Sequence, residues 1–206
     1  MKIRAFILFV LQAILSYSQI QNDENIKALI NQYEVNSPLK CEILVQVDVK
    51  GVFIPDKTVF VDFTNEKKPV IKGEGLTLLP KKGTINQFKD MFSTPLQAIF
   101  LSKIKNNYVY KLVSLDEKSD WITADIQFDA DSNLIYETTV NTRKYGSFNT
   151  VNYYENEIYP SKSIVTFDVK KFELPLKFVG RKQTNNTMGK SDEMTTGKIT
   201  LLYKYQ

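Results

Sequence analysis

Six carboxylates crowd one stretch of the chain, Asp116, Glu117, Asp120, Asp125, Asp129 and Asp131. A facing pair of such groups is the equipment of a glycoside hydrolase, but spacing in sequence does not give the separation that the pair needs. Asp129, Asp131 and Asn133 also match positions 1, 3 and 5 of a calcium loop. The match ends there, because Leu134 takes the place of the Gly that makes the sharp turn and Val140 the place of the closing bidentate Glu. A hairpin turn held by Asx side chains is the expected structure. Gly73-Glu74-Gly75 has no third glycine, no Lys-Ser/Thr and no following helix, so it reads as a bulge or tight turn rather than a phosphate loop.

The chain contains no His, which removes Ser-His-Asp and Cys-His catalysis and any zinc or haem site built on imidazole. A single cysteine, Cys41, removes an internal disulfide, an iron-sulfur cluster and a Cys-x-x-Cys redox pair. Cys41 shares a strand face with Ile43 and Val45 and is expected to be a small buried apolar residue. These residues predict a protein that is not an enzyme and holds no metal or cofactor.

The elements follow from hydrophobic period. Ile26, Leu29, Ile30 and Tyr33 recur at i, i+3, i+4 and i+7 between Asn22 and Asn36, with Asn22 or Asp23 as the N-cap, and predict an amphipathic helix. After Pro38 the period falls to 2: Cys41, Ile43, Val45, Val47 and Val49 alternate with Glu42, Leu44, Gln46, Asp48 and Lys50. Thr58 to Phe63 is a second strand, and Pro69 to Pro80 carries two strand-like pieces around its glycines. In Thr84 to Phe92 the apolar Ile85, Phe88, Met91 and Phe92 predict a short helix. Pro95 to Ile104 is expected to be a further helix opened by Pro95, although its Ile99-Phe100-Leu101 cluster also suits a strand. From Tyr108 the pattern is β: Tyr108–Leu115, Trp121–Phe128, Leu134–Arg143, Ser147–Tyr154, Ser163–Phe172 and Ile199–Tyr205. Short links between these segments predict an antiparallel meander. Arg181 to Lys198 reads as a long polar loop or extended hairpin.

Lys2 and Arg4, an apolar run from Ala5 to Leu15, and Ser16 and Ser18 flanking Tyr17 form the pattern of a cleavable signal peptide over residues 1–18. Residues 19–206 are then a single domain, soluble in the periplasm or secreted, because no cysteine follows the apolar run to accept a lipid. Loss of Lys2 and Arg4 lowers the net charge from +4 to +2, which offers no field for nucleic acid. Lys111, Asp125, Lys170 and Lys171 inside strand segments argue against a membrane-spanning barrel.

The surplus is aromatic and aliphatic: 13 Phe and 11 Tyr, with strands such as Val59-Phe60-Val61 and Ile199-Thr200-Leu201-Leu202 apolar at neighbouring positions. A strand apolar on both faces needs cover on both. The order of helix, strands, interrupting helical segment and β meander resembles the LolA/LolB-like family of periplasmic lipoprotein carriers. The likeness is carried by Ile26 to Tyr33 with the strand Cys41 to Gly51, by the hairpin Trp121 to Thr139, and by Tyr153 to Pro175 with its Asn/Glu turn and terminal Phe-x-Leu-Pro. Lys68 to Phe92 lacks the aromatic strand pairs of the standard carrier, which marks a divergent member.

The resemblance implies an α+β, mostly β fold: a curved antiparallel sheet, an unclosed half-barrel, with a few covering helices and an apolar cavity between. It implies lipid or an acylated lipoprotein as cargo, held by burial of methylenes at about 0.8 kcal/mol each, and a membrane-bound donor or acceptor protein as a further partner for a monomeric carrier. On the apolar strand faces Val45, Val47, Val61, Ile126, Phe128, Phe167 and Val169 are the candidate lining, and Leu29, Tyr33, Phe88 and Met91 the candidate cover. The competing expectation is a secreted β-sandwich that binds a peptide, glycan or partner protein through loops such as Arg181 to Lys198.

Overall fold

The computed structural model describes residues 23–35, 40–50, 53–62, 70–73, 87–155, 158–168 and 196–206. The signal segment, Gly75, Thr84, Val169 and most of the Arg181 to Lys198 stretch lie outside them. Among the described residues, two helices, α1 (Glu24–Val35) and α2 (Gln87–Phe92), accompany ten strands. The strands are β1 (Lys40–Asp48), β2 (Lys57–Asp62), β3 (Val70–Lys72), β4 (Leu96–Ile104), β5 (Asn107–Ser114), β6 (Trp121–Asp129), β7 (Ile135–Thr142), β8 (Ser147–Tyr153), β9 (Lys162–Asp168) and β10 (Thr196–Tyr205). They form one antiparallel sheet in the order β3-β2-β1-β10-β9-β8-β7-β6-β5-β4. The fold is the curved, unclosed half-barrel with covering helices, and it is one sheet rather than the two of a sandwich.

Each strand from β4 to β8 pairs with its successor, as the short links require. The last strand leaves this meander and lies between β9 and β1, joining the amino-terminal hairpin to the rest. Asp23 is the N-cap of α1: its Oδ1 accepts the backbone N–H groups of Asn25 and Ile26 at 3.0 and 3.2 Å. The β6–β7 turn is the Asx turn expected from its sequence, with Asp129 Oδ1 accepting from the N–H groups of Asp131 and Ser132. Those bonds, first the one from Ser132, hold the Asp129 carboxyl below its ordinary pKa. Gly73 has φ +138°, and a Cβ there would stand 2.7 Å from the carbonyl oxygen of Thr58, so close backbone approach explains it.

The expected helix over Pro95 to Ile104 is a strand, β4. Its segment matches a helical stripe at Leu96, Ile99 and Phe100, but eight residues of it pair along β5, with a bulge at Leu101 between Phe100 and Ser102. As the terminal strand of the described sheet it exposes Ile99, Phe100, Leu101 and Ile104 on both faces and at the bulge. That is why it lacks the period-2 alternation by which the other strands announce themselves.

Candidate functional site

Residues directly opposite in an antiparallel pair share a face, so the register defines what the inner surface presents. One row runs across eight strands: Val47, Ile199, Val165, Thr150, Thr138, Ile126, Tyr110 and Phe100. At about 4.8 Å per strand this row is roughly 34 Å long along the curved sheet. A parallel row reads Gly197, Phe167, Phe148, Val140, Ala124, Leu112 and Ala98. At its start the ring of Phe167 fills the place of the missing side chain, since a Cβ on Gly197 would stand 2.5 Å from Phe167 Cζ.

The inner face carries two buried apolar clusters. The first gathers Ile26, Leu29 and Tyr33 of α1, Phe88, Met91 and Phe92 of α2, and the floor residues Tyr110, Leu112, Ala124, Ile126, Phe128, Ile135 and Val140. Helices therefore cover this half because their apolar stripes and the floor bury one another. Aromatic rings step across the floor from the exposed edge inward. Phe100, 51% exposed, lies 5.3 Å from Tyr110, and Tyr110, 1% exposed, stacks at 5.7 Å on the fully buried Phe128. The second cluster is aliphatic: Cys41, Ile43, Val45, Val49, Val59, Val61, Val165, Ile199 and Leu201, with Phe167. Among the described residues no helix belongs to it.

Sequence-chosen residues divide between the two. Leu29, Tyr33, Phe88, Met91, Ile126 and Phe128 meet in the first cluster, whereas Val45, Val61 and Phe167 meet in the second with Val47 half-buried beside them. Tyr110, Leu112 and Ile135 were not among the choices, although the pairing of β5 and β7 with β6 puts them on the same face as Ile126 and Phe128. Cys41 is fully buried, and burial pushes its thiol up to about 12, as an inert apolar residue requires.

Side-chain bonds fix α1 on its floor. Tyr110 OH donates to Asp23 Oδ2 at 2.8 Å and accepts from Asn25 Nδ2 at 3.2 Å. The Ile135 N–H donates to Tyr33 OH at 3.3 Å, and Gln32 Nε2 donates to the Ser132 carbonyl at 2.8 Å. Burial raises the Tyr110 phenol to about 12 and pushes Tyr33 and Tyr154 upward as well.

Between the clusters lies a buried polar seam of Thr138, Thr150, Asn152 and Ser163. Asn152 Nδ2 and Tyr154 OH both donate to the Ile135 carbonyl, at 2.8 and 2.7 Å, and Ser163 Oγ donates to Asn152 Oδ1 at 2.6 Å. On the outer side a groove of about 370 Å³ runs over β6 to β8, lined by Gln127, Tyr136, Glu137, Val151, Asn152, Tyr153 and Tyr154.

The carboxylates fall into separate groups along β6. Asp125 is bonded to Lys111 directly across from it, and Asp129 and Asp131 both accept from Asn106 at 2.9 Å. Asp116, Glu117 and Asp120 precede the other end of this nine-residue strand, roughly 26 Å away.

No family model matches the chain, and no curated protein matches it in sequence. Solved structures do match. A LolA superfamily protein of Nitrosomonas europaea has a TM-score of 0.53 at 8% identity, over 88% of this chain and 92% of that one. Weaker likenesses, with TM-scores of 0.44 and 0.43, are to a candidate outer membrane lipoprotein-sorting domain of Vibrio parahaemolyticus and a DUF1329 family protein of Desulfovibrio piger. Their identities are 8% and 6%, over 87% and 88% of this chain and 91% and 92% of theirs. At such identities a likeness speaks for the fold alone, and the chain shares the fold of the Nitrosomonas europaea protein.

Proposed function

We propose that this chain is a carrier that buries the acyl chains of a lipid or lipoprotein on the inner face of its sheet, without covalent chemistry. The observation that carries this reading is the apolar floor, continuous in register from Val47 to Phe100 and interrupted only by the threonines at its centre. Leu29, Tyr33, Phe88 and Met91 lie on that floor in the described form. Cover and cargo compete for one apolar surface, so α1 and α2 act as the lid that a chain displaces and that expels it on closing. Residues 1–18 direct export and are removed, residues 19–206 form one monomeric domain, and the carrier works in the periplasm between a membrane-bound donor and acceptor. The likeness to a LolA superfamily fold supports the reading.

Native mass spectrometry with organic extraction tests it on the mature protein purified from the cell envelope without detergent. Lipid or acylated peptide is expected to co-purify and to be lost in Val47→Glu or Phe167→Glu variants that keep the wild-type circular dichroism spectrum. A ligand-free protein that also refuses fluorescent fatty-acid probes would sink the carrier reading and favour binding through loops.

A further inference from the structure

Thr138 sits at the middle of the long inner row, opposite Ile126 on one side and Thr150 on the other. It is 0% exposed, and its Oγ1 has no hydrogen-bond partner. Its seam neighbours are different: Asn152, Ser163 and Tyr154 close bonds with one another and with the Ile135 backbone. A buried hydroxyl without a partner destabilises the form that buries it, and Val would fill the same space in a strand without that penalty. The hydroxyl therefore makes sense where a second state of the protein brings it a partner.

We propose that Thr138 is the recognition point for a carbonyl on the bound chain: its hydroxyl donates to the ester or amide oxygen that joins an acyl chain to its head group. This rests on the carrier reading above. The ligand class it selects is ester- or amide-linked acyl chains in preference to chains joined by an ether. The placement fits that chemistry. On one side of Thr138 lie Ile126 and then the aromatic Tyr110 and Phe100, and on the other, beyond Thr150, the aliphatic stretch Val165 and Ile199. Apolar chain can follow either stretch while the carbonyl remains at the seam, where an acceptor with lone pairs meets the buried, unsatisfied hydroxyl of Thr138.

The test compares a monoacylglycerol with the alkylglycerol ether of equal chain length, two probes that differ by one carbonyl. Their affinities are read by displacement of a fluorescent fatty acid from the mature protein. Wild type is expected to prefer the ester about 3- to 10-fold, the range of one net hydrogen bond. In Thr138→Val the preference falls to unity while the ether binds undiminished and the melting temperature does not drop. Thr138→Ser, which keeps the hydroxyl, retains the preference. Equal binding of both probes by wild type, or a preference that survives in Thr138→Val, overturns the assignment. Failure of wild type to bind either probe overturns the carrier reading itself.

Discussion

The two halves of the inner face bury apolar surface to a similar degree but locate it differently. Around β5 and β6 the floor is aromatic, and hydrogen bonds donated by Asn25 and Gln32 and accepted by Asp23 and Tyr33 place α1 on it. Across β1, β2, β9 and β10 the floor is mostly Val, Ile and Leu, joined by the backbone ladder. Burial is non-directional, so an aliphatic floor accepts any apolar cover in many positions. Hydrogen bonds from ring hydroxyls have a direction and a length, and they give a helix one seat. The aromatic half thus fixes the seat of α1, while the aliphatic half is buried without a helix among the described residues.

Breaking the aromatic half should cost most. Phe128→Ala empties a fully buried site against the rings of Tyr108 and Tyr110, and a loss of about 3–5 kcal/mol is expected. Val165→Ala, in the aliphatic half, should lose about 2 kcal/mol. Urea unfolding at unchanged m-value measures both, and an equal or larger loss at Val165 would reverse the ranking of the halves.

High pH sharpens the same contrast. Burial raises the phenols of Tyr33, Tyr110, Tyr154, Tyr159 and Tyr203, those of Tyr110 and Tyr159 to about 12. A raised pKa means that the folded chain holds these protons more tightly than the unfolded chain, whose phenols ionise near 10. Their contribution is complete below about pH 10 and is lost as the pH climbs through about 12. Phenolate absorbance should therefore contain a late phase that rises together with the loss of far-ultraviolet dichroism. A late phase complete while the fold is intact would contradict it.

The smallest effect belongs to the seat of α1. Asp23→Ala removes both the helix cap and the acceptor for Tyr110 OH, with an expected loss of about 1 kcal/mol, or about 2–4 °C in melting temperature. If the seat is what closes the lid, hydrogen exchange should quicken in α1 before it changes in β1 and β10.

Most of the fold was legible in local pattern. The alternation of β1, the i, i+3, i+4, i+7 stripe of α1 and the Asx turn after β6 each follow from side chains within a few residues of one another. The edge strand β4 was not, because a strand with one neighbour leaves apolar residues in water on both faces and mimics a helical stripe. The candidate site was half legible. Period 2 put Ile126, Phe128, Val45 and Val61 on buried faces, but periodicity carries no information about which distant strand lies alongside. Which of these residues pack together, in one buried cluster or the other, is decided by the tertiary pairing.

The sequence by itself determined the absence of imidazole and disulfide chemistry, the helix and strand periods, and the apolar surplus that needs cover. Only the tertiary structure decided that β10 inserts between β9 and β1, that Tyr110 meets Asp23 across 87 positions, and that Thr138 is buried without a partner. The reason is physical: backbone dihedrals and side-chain period are set by near neighbours, whereas register and burial are set by pairings that the chain makes only after it has closed long loops.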